Sequence, residues 1–242
     1  MVSSISQPYR CSHVLSFDGE ASHLHGQITA IGAVVFDVVT ELEVDRFAAR
    51  LDPDGEEYKR GKAEADPWCL ENVYPIIEEP ARWKDRLSVR TEQQLLLAFY
   101  LWWAAWTRGL PKVLDAASRE EVTFEQAHAL QTAIERAHEE SIRRGVTTDM
   151  DVLTVADWAH PVEHNLFSRV LGARREWGLC GPKPIHEIAT LRLCDSLVNP
   201  DLGQGVVLAP NEGRPHDPLY DATQSGLEAI ALLKRLYRPR KK

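Results

Sequence analysis

Asp18 and Glu20, two residues apart near one end of the chain, and His216 and Asp221 near the other, are residue types that bind divalent cations and move protons. Between them, residues 152 to 163 read Val-Leu-Thr-Val-Ala-Asp-Trp-Ala-His-Pro-Val-Glu and add Asp157 and Glu163. Brought together, these groups would make a carboxylate cage for two divalent ions, with a histidine beside it to take a proton from water. That is equipment for phosphodiester hydrolysis. No single match is specific. An Asp-x-Glu is expected by chance on the order of once in a chain of this composition, and an isolated histidine five residues ahead of an aspartate reads first as a surface histidine. The order and spacing of all three segments reverse that preference.

The elements that must hold these groups follow from the hydrophobic pattern. His13 to Phe17 reads as a short strand, Ile28 to Phe36 as a second after the His-Leu-His-Gly-Gln turn, and Val44 to Leu51 as a third. Side chains two apart on a strand share a face, so Asp18 and Glu20 can serve one site at the end of the first strand. Asp52 to Lys62 reads as a solvated connection. From Thr91 to Gly145 the pattern turns helical, with Phe124, Ala127, Leu130, Ile134 and Ala137 on one face and a capping box at Thr123 and Gln126. Val152 to Ala156 then reads as a buried strand, and Pro161 suits the first turn of a helix closed by Gly172. Asp217 and Pro218 suit the cap and first turn of a last helix running to about Leu236, with His216 just outside it and Asp221 about one turn inside. Strands first, then helices alternating with strands, predict an α/β fold with a mixed sheet covered by helices.

Composition bounds the function. With 242 residues and 44% hydrophobic content, one domain of residues 1–242 with an insertion at about 52–149 is the expectation. Its folding would bury roughly 70 to 75% of the extended chain's surface. The 36 acids against 28 Lys and Arg, net −8, argue against a high-affinity nonspecific duplex binder held mainly by phosphate neutralisation. Bound metal ions can still supply positive charge where a phosphate reacts. Cys11, Cys69, Cys180 and Cys194 form no Cys-x-x-Cys pair, and the first ten residues lack an apolar signal core, so a reduced, cytoplasmic protein is expected. The longest apolar run, Leu95 to Trp106, is too short to cross a bilayer core of about 30 Å as a helix, so no membrane partner is expected. Its Tyr100, Trp102, Trp103 and Trp106 read as core or as a homodimer contact in preference to base stacking.

Phe-Asp18-Gly-Glu20, Ile28 to Asp37 with its Ile-Gly-Ala-Val core, and His216-Asp-Pro-Leu-Tyr-Asp221-Ala resemble the first and third motifs of the DEDDh (DnaQ-like) 3'-to-5' exonucleases. The resemblance extends over residues 12 to 50, 150 to 172 and 184 to 236. It implies an RNase H-like mixed sheet flanked by helices, with a helical insertion in the middle of the chain. It also implies two-metal hydrolysis of single-stranded DNA or RNA from the 3' end to nucleoside monophosphates. The family places an Asp in the first turn of the helix after the 152–156 strand. Here Glu163 stands in that register, one methylene longer, with Asp157 as the alternative ligand. Glu163 is preferred because helix position fixes where a side chain points.

On that resemblance, Asp18, Glu20, Asp221 and the second-motif acid hold two Mg2+ or Mn2+ ions, the cations suited to all-oxygen sites. His216 is the general base, and Ser22, His23 and Gln27 line the entrance near the substrate's terminal sugar. Zinc on His13, His23 and His25 is disfavoured, since no cysteine pair completes a structural site. The basic tail, Lys234 to Lys242, and Arg174 and Arg175 read as solvated cations near helix ends before they read as phosphate contacts. Two alternatives stand beside the exonuclease. One is a catalytically inactive nuclease-like module that binds nucleic acid or a protein; the other is a small-nucleotide phosphodiesterase.

Overall fold

The structure is a computed structural model that describes residues 11–84, 86–108, 152–157, 162–163, 166, 185–200 and 213–236. Its centre is a six-stranded sheet in the order β4-β3-β2-β1-β5-β6. Strands β1 (His13–Ala21), β2 (Ile28–Asp37) and β3 (Glu43–Leu51) form an antiparallel meander. β4 (Leu87–Val89) runs parallel to β3, β5 (Val152–Ala156) parallel to β1, and β6 (His186–Glu187) parallel to β5. This is the mixed α/β sheet flanked by helices that the sequence predicts.

Alternation along the strands sorts two cores. Leu15, Phe17 and Ala21 of β1, with Ile31, Ala33 and Val35 of β2, pack under α4 (Glu92–Arg108), which contributes Leu95, Phe99, Tyr100, Trp102 and Trp103. Val14, Val34, Phe36 and Val155 face the other way. There they meet α5 (Ile188–Val198) through Ile188 and α6 (Pro218–Leu236) through Leu219, Ala222, Ala229 and Leu233. Asp18 and Glu20 share the parity of Val14, so they lie on the α6 face.

The aromatic run of α4 is core. Tyr100 is fully buried and Trp102 and Trp103 nearly so, while the indole N–H groups of Trp102 and Trp106 both donate to Asp45 Oδ2, at 3.0 and 2.6 Å. Tyr100, Trp102 and Trp103 are thereby withdrawn from stacking on bases. α4 begins with a capping box at Thr91 and Gln94: the Gln94 amide donates to Thr91 Oγ1 and the Thr91 amide to Gln94 Oε1, each at 3.2 Å.

Residues 52 to 62, expected as a solvated connection, instead form the start of α1 (Glu56–Ala63), and α2 (Pro67–Asn72), α3 (Tyr74–Ile77) and a 3-10 turn (Pro80–Trp83) follow. Tyr58 and Tyr74 bury their rings edge to face at 5.5 Å. That apolar anchor is why so charged a stretch folds onto the body. The segment also supplies β4 and α4, so its described part belongs to the sheet and the core. The helix expected over 124–145, Val170, Gly172, Arg174, Arg175 and the tail beyond Leu236 lie outside the described residues.

Among the described residues no helix is long and apolar enough to cross a membrane.

Candidate metal centre

β1 carries Asp18 and Glu20 side by side on the α6 face, deeper within the strand than the sequence suggests, since the strand continues to Ala21. It ends in a bulge: Glu20 pairs with Ala30 but Ala21 pairs with Ile28, and the extra Thr29 donates its hydroxyl to the Glu20 carbonyl at 3.0 Å. Bulges of this kind re-aim side chains at the margin of a sheet. Asp18 pairs across the ladder with Gly32. A Cβ on residue 32 would lie 2.2 Å from the Leu219 amide nitrogen and from the Pro218 carbonyl carbon. Only a glycine lets the start of α6 come this close to the sheet.

At that start, Asp217 Oδ1 accepts from the Leu219 amide at 3.1 Å and caps the helix. His216, just before it, has a left-handed backbone, φ 66°. Its amide donates to Asp221 Oδ2 at 2.7 Å, and its Nδ1 lies 3.6 Å from Glu20 Oε1. One ligand atom each from Glu20, His216 and Asp221 falls within a mutual 4.8 Å.

The second-motif acids arrive from two directions. The β1–β5 register, Ser16 opposite Val155, carried two residues further sets Asp157 alongside Asp18. Asp157 is half-exposed and lies 3.1 Å from Arg192 of α5, which is itself held by Glu228. Glu163 is only 7% exposed. Val162 and Glu163 have π-helical backbone, a wide turn that rotates the register by a fraction of a turn and recurs at functional sites. The Gly19 amide hydrogen bonds to the Glu163 carboxylate.

The electrostatics mark these groups as one cluster. Burial, then Glu20, Glu163, Asp221 and Asp157 in turn, push the Asp18 carboxyl well above the usual carboxylate range. Burial pushes Glu20 up to about 7 against the opposing pull of His216, Glu163 up to about 7, and Asp221 up to about 6. The neighbouring Glu20 carboxylate raises His216 in turn. Among the described residues no Lys or Arg pairs with Asp18, Glu20, Glu163 or Asp221. Buried like charges without a protein cation are stable only protonated or around a bound cation.

The three residues expected at the entrance are placed unequally. Ser22 is 1% exposed and its hydroxyl accepts from the Gln27 amide at 3.0 Å, closing the β1–β2 turn. The Gln27 side chain packs against Gly61. His23 is half-exposed and its Nδ1 accepts from the His25 amide at 3.3 Å. Ser22 is thus enclosed in the turn, while His23 and Gln27 are each partly exposed.

Two features escape the sequence. Trp68 of α2, 55% exposed, sets its ring perpendicular to His216 at 4.9 Å between centroids. It is brought there by the Asp66 amide, which donates to the Ser22 carbonyl at 3.1 Å. Arg82 and Arg86, from the turn before β4, converge on Asp217. No short-range signal announces either contact.

No family model matches the chain, and no curated protein matches it. Among solved structures it is similar to the nuclease domain of 3'hExo, a DEDDh family member, bound to rAMP. The identity is 13%, the TM-score 0.43, and the match covers 96% of this chain and 98% of that one.

Proposed function

We propose that the protein is an RNase H-like, metal-dependent 3'-to-5' exonuclease that releases nucleoside monophosphates from single-stranded nucleic acid. The observation that carries this reading is the convergence of three distant segments on one site: Glu20, His216 and Asp221 bring ligand atoms within a mutual 4.8 Å, and Glu20, Glu163 and Asp221 all push the neighbouring Asp18 carboxyl upward.

Oxygen donors carrying this much uncompensated charge fit hard divalent cations, so Mg2+ or Mn2+ would be held by Asp18, Glu20, Glu163 and Asp221. Two such ions supply an activated water and neutralise charge on the leaving 3' oxygen. The protein does the rest. With Nδ1 turned to Glu20, His216 has Nε2 left to take the proton of the attacking water. With Glu20 serving as a metal ligand, the His216 ring would be free to act as a neutral base. The exposed face of Trp68 beside it offers a platform for the terminal base, and base–aromatic stacking contributes about 1 to 3 kcal/mol. Asp157, neutralised by Arg192, shapes the field of the cage without joining it. His23 borders the mouth near the terminal sugar.

The test follows a 5'-labelled single-stranded DNA oligonucleotide and its RNA counterpart with Mg2+ or Mn2+, comparing wild type with Asp18→Ala. Stepwise shortening from the 3' end that needs metal and disappears in the variant is the expected result. No shortening of either strand by well-folded wild type would turn the reading toward the inactive binding module or a small-nucleotide substrate.

A further inference from the structure

We propose that Arg82 and Arg86 are positioning residues for His216, acting through Asp217. The inference rests on the exonuclease reading of the site and adds to it the device that holds its base.

His216 is a non-glycine residue with φ 66°. Such a backbone costs on the order of 1 to 3 kcal/mol and persists only where its surroundings over-determine it. On one side the restraint is the His216 amide on Asp221. On the other it is Asp217, 3% exposed, whose amide donates to the Arg214 carbonyl at 3.2 Å and whose carbonyl accepts from the Asp221 amide at 3.0 Å. Fixing Asp217 therefore fixes the φ and ψ on either side of the histidine.

Asp217 is fixed by more than a helix start needs. A cap requires one acceptor for one amide, and Asn or Ser would serve. Here the carboxylate also takes Arg82 Nη1 on Oδ2 and Arg86 Nη1 on Oδ1, both at 3.0 Å, with Arg86 Nη2 3.5 Å from Oδ2. The two guanidiniums are themselves anchored. Arg82 Nε donates to Glu79 at 2.6 Å, and Arg86 lies over the Trp83 ring at 5.0 Å, with Arg50 of β3 over the same ring at 5.1 Å. Trp83 in turn donates its indole N–H to the Ile76 carbonyl at 3.3 Å. A rigid strut thus runs from the sheet through Trp83 and the arginines to the residue next to the base. Charge-assisted bonds in such a planar fork set direction as well as distance.

The experiment uses the full chain with Arg82→Gln and Arg86→Gln together, Asp217→Asn, which keeps the cap acceptor, and Arg82→Lys with Arg86→Lys. Histidine ring signals are read by NMR on selectively 13C-labelled protein, with His216→Asn to assign residue 216. Mn2+ affinity is measured by calorimetry, and kcat and KM on the labelled oligonucleotide. The expected result in the Gln pair and in Asp217→Asn is a displaced or broadened His216 signal with Mn2+ affinity near wild type. The kcat should be lower by about tenfold to a hundredfold and KM nearly unchanged, as for a misplaced catalytic group. The Lys pair should recover part of kcat. An unmoved His216 signal with unchanged kcat in the Gln pair would overturn the proposal. If the Gln pair does not fold, Asp217→Asn decides by the same readouts. If wild type cleaves nothing, the exonuclease reading fails while the His216 signal still tests the strut.

Discussion

Glu163→Gln is expected to lower metal-dependent hydrolysis by about a thousandfold, the loss of several kcal/mol of electrostatic stabilisation, and Asp157→Asn by less than about tenfold. The two acids were alternatives for one ligand position in the sequence. The structure separates them by environment. Glu163 is buried, with its carboxyl raised to about 7 by burial and by Glu20 and Asp157, against the hydrogen bonds it accepts from backbone amides. It is the second largest neighbour pushing on Asp18. Asp157 is half-exposed, acts more weakly on Asp18, and already has a cation in Arg192. Gln keeps the size of Glu163 and its bond from Gly19 while removing the charge a divalent ion needs. Mn2+ titrations of both variants give the check, because the ligand's loss weakens metal binding and the neighbour's loss leaves it nearly intact. Comparable losses in the two variants would mean that both acids are ligands, and a larger loss from Asp157→Asn would reverse the assignment.

The second large effect is a stability that falls with pH in metal-free protein and is restored by metal. A carboxyl whose folded pKa lies above its unfolded value keeps its proton in the folded chain where the unfolded chain has lost it. Its contribution is therefore full below the unfolded value, about 4. It is lost as pH rises through about 6 for Asp221 and about 7 for Glu20 and Glu163. Asp18 and His216, both raised, change stability in the same direction. Asp217 is the opposite case. Burial alone would raise it, but Arg86, Arg82 and the Leu219 amide hold it below the usual range, so its contribution is lost only in more acid solution. Between pH 5 and pH 8 the metal-free midpoint of thermal unfolding is expected to fall by at least roughly 5 °C. Mn2+ at about a hundred times its Kd should raise the midpoint at pH 8 by roughly 5 to 10 °C. At pH 5 it should do little, since protons hold the ligands. A midpoint indifferent to Mn2+ at pH 8 would remove the metal cage from the account.

How much of this the sequence discloses depends on the range of the interaction. Asp18 with Glu20, and His216 with Asp221, are legible because a strand's period and a helix's first turn put each pair on one side of its own element. Strands β1, β2, β3 and β5 are legible for the same reason, being runs of β-branched and apolar residues between turns. α1 is not, because its charged residues mask a single buried Tyr58. Ser22 and Gln27 read as entrance residues from their proximity to Asp18. Their hydrogen bonding and packing inside the turn depend on Gly61 and α2, which no local pattern reveals. Arg82 and Arg86 reach Asp217 across more than a hundred residues, and a chain with 28 Lys and Arg offers no reason to single out those two. Helix position already favours Glu163 over Asp157 in the sequence; the burial of Glu163 and the pairing of Asp157 with Arg192, which add to that preference, are products of tertiary packing.

Gly32 sets a gauge for the whole centre. Opposite Asp18 and against Pro218 and Leu219, it makes the gap between the strand and the helix a distance from backbone to backbone, with no rotamer in between to yield. The carboxylates from the two ends of the chain are thereby held against each other by van der Waals contact of two backbones. Any side chain added at residue 32 would have to push the start of α6 off the sheet, so the width of the cage is least tolerant of change at the position that has no side chain.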